Sequence, residues 1–123
     1  MLWNSFCVGA GGFLGAVFRY LLGFLPLSDK TQFPVITLGI NILGAFAIGV
    51  ISQAAVRYGI SDSRWILFLK TGVCGGFTTF STFALESSDL MEAGRCGMSA
   101  AYMVLSVILC LGAVFAGKMI VRG

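Results

Sequence analysis

From Pro34 to Val56 no residue carries a charge, and the stretches at about 3–25, 65–91 and 98–121 are apolar with only scattered charges. About 20 consecutive apolar residues cross the hydrocarbon core of a bilayer, so this spacing leaves room for four crossings and short connections. Of the 123 residues, 58% are hydrophobic and 11% charged. Mean hydropathy is +0.96, whereas roughly a quarter of the residues of a soluble domain are charged. The expectation is an all-α membrane protein in which residues 1–123 form a single four-span domain, with lipid as its solvent.

Local signals mark the ends of these spans. Met1-Leu2-Trp3-Asn4-Ser5 lacks the positive n-region of a secretory signal, and the apolar stretch after it is too long for an h-region, so it reads as a permanent span. Pro26 followed by Ser28-Asp29-Lys30 predicts a polar loop. Pro34 suits the first turn of a helix, where its missing N–H would be unpaired anyway. Ser61-Asp62-Ser63 supplies capping side chains ahead of the third span.

Four crossings put both termini on one side of the membrane. That side then holds Arg57, Arg64, Lys70, Lys118 and Arg122, and the other side Arg19, Lys30 and Arg95. Basic residues set orientation, and so weak an asymmetry is compatible with insertion both ways as well as with one fixed topology with cytoplasmic termini. The cations form no run or patch of the kind nucleic-acid binding requires. Cys7, Cys74, Cys96 and Cys110 show no metal or redox spacing. The 17 glycines fall largely within spans, and Gly11/Gly15, Ala45/Gly49 and Gly112/Ala116 form small-xxx-small pairs that predict close helix packing.

Catalytic machinery is not expected. The chain has no histidine, no pair of intramembrane carboxylates, and no serine or cysteine with a base at useful spacing. Proton-coupled carriers usually need an ionisable acid in the membrane, and only Glu86 is placed for that. Passive permeation is favoured over pumping.

Chemistry concentrates in Thr71–Phe83, where Gly72, Gly75 and Gly76 precede the hydroxyls of Thr78, Thr79, Ser81 and Thr82. Gly-Gly and clustered hydroxyls both weaken a continuous helix. In hydrocarbon, freed backbone groups cost several kcal/mol each, so a break survives only where protein, water or an ion satisfies them. A third crossing broken at about Gly75–Thr79 would aim the N-terminus of a half-helix at the bilayer centre and leave carbonyls free for a cation. A continuous helix using Gly-Gly for packing is the other reading.

Phe77, Phe80 and Phe83 recur every third residue and predict one aromatic stripe, either packing or a line of ring edges able to favour an anion. Thr37 and Asn41 share a face of the second span, as do Tyr102, Ser106 and Cys110 of the fourth. Each set serves either interhelical hydrogen bonding or a hydrated lining. Arg19 either snorkels to the interface or raises the anion concentration at a vestibule.

Over essentially its whole length the chain resembles the Fluc (CrcB) fluoride channel family. The likeness is carried by Gly11-Gly12-Phe13-Leu14-Gly15-Ala16-Val17-Phe18-Arg19-Tyr20, by Asn41-Ile42-Leu43-Gly44, and by Gly75-Gly76-Phe77-Thr78-Thr79-Phe80-Ser81-Thr82-Phe83 with Glu86. The resemblance implies an antiparallel, dual-topology homodimer in the bacterial inner membrane, with a broken third helix in each subunit. It implies two pores that let fluoride leave the cytoplasm passively, relieving its toxicity. By motif position, carbonyls of Gly75 and Thr78 would hold a structural sodium ion at the dimer centre. Phe80 and Phe83 would line the pores with Asn41, Ser81, Thr82, Thr37, Tyr102 and Ser106, and Arg19 and Glu86 match the family's vestibule positions. In the fourth span Cys110 stands where the family has a hydroxyl, and Val114 continues the line without one.

Two other classes compete. Small multidrug resistance transporters are also short, four-span and often dual-topology, but their chemistry depends on a first-span glutamate, where this chain has only Arg19. A non-transporting membrane subunit would use its glycines for assembly alone.

Overall fold

The computed structural model describes residues 1–27 and 32–123, which are helical with no strand among them. The expected Ser28-Asp29-Lys30 loop lies outside the described residues. The elements are α1 (Leu2–Leu22), α2 (Val35–Arg57), α3 (Arg64–Ile66), a π-helical segment (Leu67–Cys74), α4 (Gly75–Phe77), α5 (Phe80–Glu92) and α6 (Cys96–Arg122). Three of them, α1, α2 and α6, are long and apolar enough to cross a membrane.

Short backbone devices set the helix ends. Pro34 proves to be the N-cap of α2, one residue before its first turn. Ser63 caps α3 by accepting a hydrogen bond from the Ile66 amide at 3.2 Å. After α2 and after α5 the chain turns through glycines at positive φ, Gly59 at 67° and Gly94 at 78°. Behind each, paired bonds (Ile60 N to Ala55 O and Gly59 N to Val56 O; Arg95 N to Leu90 O and Gly94 N to Met91 O) satisfy the last helical carbonyls. That left-handed conformation is open to glycine at no steric cost.

Two layers result. α2 lies along α6, while α1 lies along the π-helical segment and α4. In the first pair a Cβ on Gly49 would collide with Val114 backbone, and one on Gly117 with the Phe46 carbonyl. In the second, Gly11 and Gly72 face each other so closely that no side chain fits between them, and a Cβ on Gly76 would collide with the Gly12 backbone. Among the expected small-residue pairs, Gly11/Gly15 and Gly49 make such contacts, but Gly112 faces open space. Spacing of four selects a face of a helix without saying which neighbour, if any, covers it. The Arg57 guanidinium donates to the Val121 carbonyl, and Arg122 Nε donates to Gln53 Oε1 at 3.1 Å. These bonds tie the ends of α2 and α6 together at the end of the bundle where Ser61, Asp62 and Ser63 border one hollow with Asn4 of α1.

Candidate functional site: a polar centre at a helix interruption

The helical run ends at Phe77. Thr78 (φ −81°, ψ 158°) and Thr79 (φ −148°, ψ 121°) are extended, and α5 starts at Phe80. Extended backbone cannot continue the i to i−4 ladder, so each polar group near it needs another partner. Asn41 of α2 supplies two: its Oδ1 accepts from the Thr79 amide at 2.8 Å, and its Nδ2 donates to the Thr79 carbonyl at 3.0 Å. Thr79 also caps α5, its Oγ1 accepting from the Thr82 amide at 3.2 Å and donating to Thr82 Oγ1 at 3.0 Å. Ser81 Oγ lies 3.5 Å from the same Thr79 hydroxyl. Upstream, the Thr78 amide and hydroxyl both donate to the Cys74 carbonyl, at 3.0 and 2.9 Å.

Arg19 turns inward, its Nε donating to the Gly76 carbonyl at 3.2 Å. A cation there complements the partial negative charge of the helix end. Among the described residues the carbonyls of Gly75, Phe77 and Thr78 accept no hydrogen bond across the interruption.

A cavity of about 330 Å³ opens on this region, bordered by Asn41, Gly44, Gly75, Thr78, Thr79, Phe80, Phe83, Ser106, Cys110 and Val114. Ser106 is buried, and its hydroxyl has no hydrogen-bond partner among the described residues. Phe80 is 79% exposed and packs on Phe83 with ring centroids 5.5 Å apart. Phe77 does not join them as the three-residue spacing predicts. It sits in the preceding helical piece, buried against Phe18 at 5.6 Å, because two extended residues break the helical phase between it and Phe80.

A second polar cluster lies beyond Phe83. Thr37 donates its hydroxyl to Glu86 Oε2 at 3.0 Å, and Tyr102 donates its own to Glu86 Oε1 at 2.9 Å. The Tyr102 ring stands 5.1 Å from Phe83 and 5.6 Å from Phe33. Ser99, fully buried, donates to the Ser87 carbonyl at 2.8 Å and ties α6 to α5.

The residues singled out by sequence thus divide. Asn41, Gly75, Thr78, Phe80, Phe83 and Ser106 border one cavity. Thr37, Glu86 and Tyr102 form the adjoining cluster. Ser81 and Thr82 gather on the Thr79 hydroxyl, and Arg19 stands apart on the α1 side. Cys74 and Gly44, not singled out for the site from sequence, also border the cavity; a Cβ on Gly44 would strike the Thr78 methyl group. The pivotal place of Thr79 was open to reading as a hydroxyl three residues ahead of Thr82, the spacing of an N-cap.

Membrane-length apolar helices around a polar centre, with unsatisfied carbonyls at an extended interruption, define a multi-pass helical membrane protein of the kind that handles ions. The family described as "CrcB-like protein, Camphor Resistance (CrcB)" matches residues 6–118. The chain belongs to that family and is a multi-pass bacterial membrane protein. It is 43% identical over 120 residues to the fluoride-specific ion channel FluC of Ruminiclostridium cellulolyticum, covering 97% of this chain and 92% of the relative. It is 44% identical over 115 residues to FluC of Agrobacterium fabrum, covering 93% and 92%. To FluC 1 of Nitrobacter hamburgensis it is 48% identical over 118 residues, covering 94% and 92%.

Proposed function

We propose that this protein is a fluoride-selective ion channel through which fluoride leaves the cytoplasm passively, relieving its toxicity. The carrying observation is the hydroxyl of Ser106, which has no partner among the described residues and is buried beside a cavity shared with Asn41, Phe80 and Phe83. A buried donor without an acceptor costs roughly 1–3 kcal/mol, which a small anion or its water would offset. The names of the relatives support fluoride as that anion. They do not favour the drug-transporter reading.

In this mechanism fluoride exchanges hydration water for hydroxyl and amide donors and for the positive ring edges of Phe80 and Phe83, none of which carries a fixed charge to trap it. The Asn41 amide has a second N–H to offer while the first holds Thr79. Thr37, Ser81, Thr82 and Tyr102 extend the polar path, with Arg19 and Glu86 toward its vestibules. A narrow path of this kind strips hydration from a small anion and excludes chloride.

The working unit is an antiparallel, dual-topology homodimer of two single-domain, four-span subunits with two pores. In each subunit the 65–91 crossing is the one broken at mid-membrane. Carbonyls of Gly75 and Thr78 would hold a structural sodium ion at the centre of that dimer. In support, neither carbonyl accepts a hydrogen bond among the described residues, and a Cβ on the exposed Gly75 would meet open space. Unwound backbone carbonyls are the usual ligands for a monovalent cation at membrane depth.

The test is ion efflux from liposomes holding purified protein, followed with fluoride and chloride electrodes. Fluoride should leave without a proton gradient while chloride is retained. Equal passage of the two ions would sink the selectivity claim, and termini labelled from one side only would remove the dual-topology dimer.

A further inference from the structure

We infer that the end of the bundle where α1 begins and α3 leads into the π-helical segment binds an anionic phospholipid. Two adjoining hollows share Arg64. One, of about 320 Å³, is polar and presents Asn4, Ser61, Ser63 and Lys70 together with Asp62. The other, of about 430 Å³, is an apolar groove between Trp3, Phe6, Ala10, Trp65 and Phe68. A headgroup and an acyl chain need that combination of neighbours, with a cation where the two meet.

Charge decides the headgroup. Arg19, Arg57 and Arg122 each donate a hydrogen bond to a group of this protein. Among the described residues Arg64 and Lys70 form no such bond, and both are exposed. Two cations outnumber the single carboxylate of Asp62, so the pocket favours a phosphodiester with no compensating ammonium. The flanking aromatics fix the depth. Trp3 and Trp65 are 68% and 73% exposed, and tryptophan concentrates at the membrane–water boundary, where lipid phosphates lie. The phosphate therefore seats between Arg64 and Lys70, and an acyl chain runs along Phe6, Ala10 and Phe68.

This site is separate from the cavity at Ser106, and its test reads lipid rather than fluoride. Wild-type protein and the double variant Arg64→Gln/Lys70→Gln are exchanged into mixed phosphatidylglycerol and phosphatidylcholine, and the lipid retained is counted by native mass spectrometry. The wild type should retain phosphatidylglycerol preferentially. A basic residue near the surface contributes about 1 kcal/mol toward an anionic lipid, or about fivefold, so the double variant should lose about 30-fold. Unchanged retention in the variant, or equal retention of phosphatidylcholine by the wild type, would overturn the proposal. So would displacement of the lipid by inorganic phosphate alone, which would leave the groove without a role. Should the double variant not assemble, Lys70→Gln carries the same test at about fivefold.

Discussion

The side-chain amide of Asn41 makes both of its hydrogen bonds to one residue, Thr79, closing the amide and the carbonyl of a backbone that belongs to no helix. A residue in the uncharged stretch of the second helix therefore holds open the interruption between α4 and α5. Its geometry suits a position that must be rigid, since one planar group fixes two backbone atoms at once.

Asn41→Ala leaves the Thr79 N–H and carbonyl without partners. Each loss at a part-buried position costs about 1–3 kcal/mol, so the thermal midpoint in detergent should fall clearly. Asn41→Asp keeps the acceptor for the Thr79 amide and loses the donor, and should be less stable than wild type. A melting curve for Asn41→Ala that overlays wild type would show that the interruption is held by something else.

Ser106→Ala separates stability from permeation. Among the described residues the hydroxyl has no partner to lose, so folding should be unaffected or slightly favoured, whereas fluoride efflux from liposomes should drop. Loss of folding with normal flux per folded protein would return Ser106 to packing.

Phe80 and Phe83 should differ. Phe80 is largely exposed in the chain, so Phe80→Ile should slow fluoride flux with little change in chain stability. Phe83 also packs on Tyr102, and aromatic pairs of this kind contribute about 0.5–1.5 kcal/mol beyond their buried area. Phe83→Ile should therefore lower the melting temperature as well as the flux, and equal melting of the two variants would contradict the contact.

Glu86→Gln tests the second cluster. The carboxylate accepts hydroxyls from Thr37 and Tyr102, one on each oxygen, and a glutamine offers one acceptor and a donor in place of the other. Hydrogen bonds to a charged group are worth about 1.5–3 kcal/mol, so this variant should melt earlier, and Thr37→Val combined with it should add less than it does alone. Full additivity in that double-mutant cycle would show that the two residues act independently.

Gly76→Ala places a methyl group against the Gly12 backbone. Neither backbone can move without separating α1 from α4, so the cost should be at least the roughly 1–3 kcal/mol typical of overpacking. A substitution at Gly112, which faces open space, should be tolerated, as measured by yield of folded protein in detergent.

Much of this was legible in the linear chain. Hydropathy alone marks the helices around Val35–Arg57 and Cys96–Arg122, because lipid requires their backbones to satisfy themselves internally and their side chains to be apolar. Ser63 as a cap, and the glycines that let α1 approach the Gly72–Gly76 region, also follow from residue type and spacing. The Phe77–Phe80–Phe83 stripe did not survive, since a fixed repeat presumes one continuous helix and Thr78–Thr79 is extended.

What the sequence determined by itself is a membrane-embedded helical chain with its polar chemistry gathered at Gly75–Thr82, since apolar runs and helix-weakening residues act locally. Only the tertiary structure decided that Asn41 binds Thr79, that Arg19 turns in to Gly76, that Thr37 and Tyr102 share Glu86, and that Ser106 finds no partner among the described residues. Those pairings join residues far apart in the chain, and a polar side chain in lipid takes whichever partner the packing of apolar helices brings within reach.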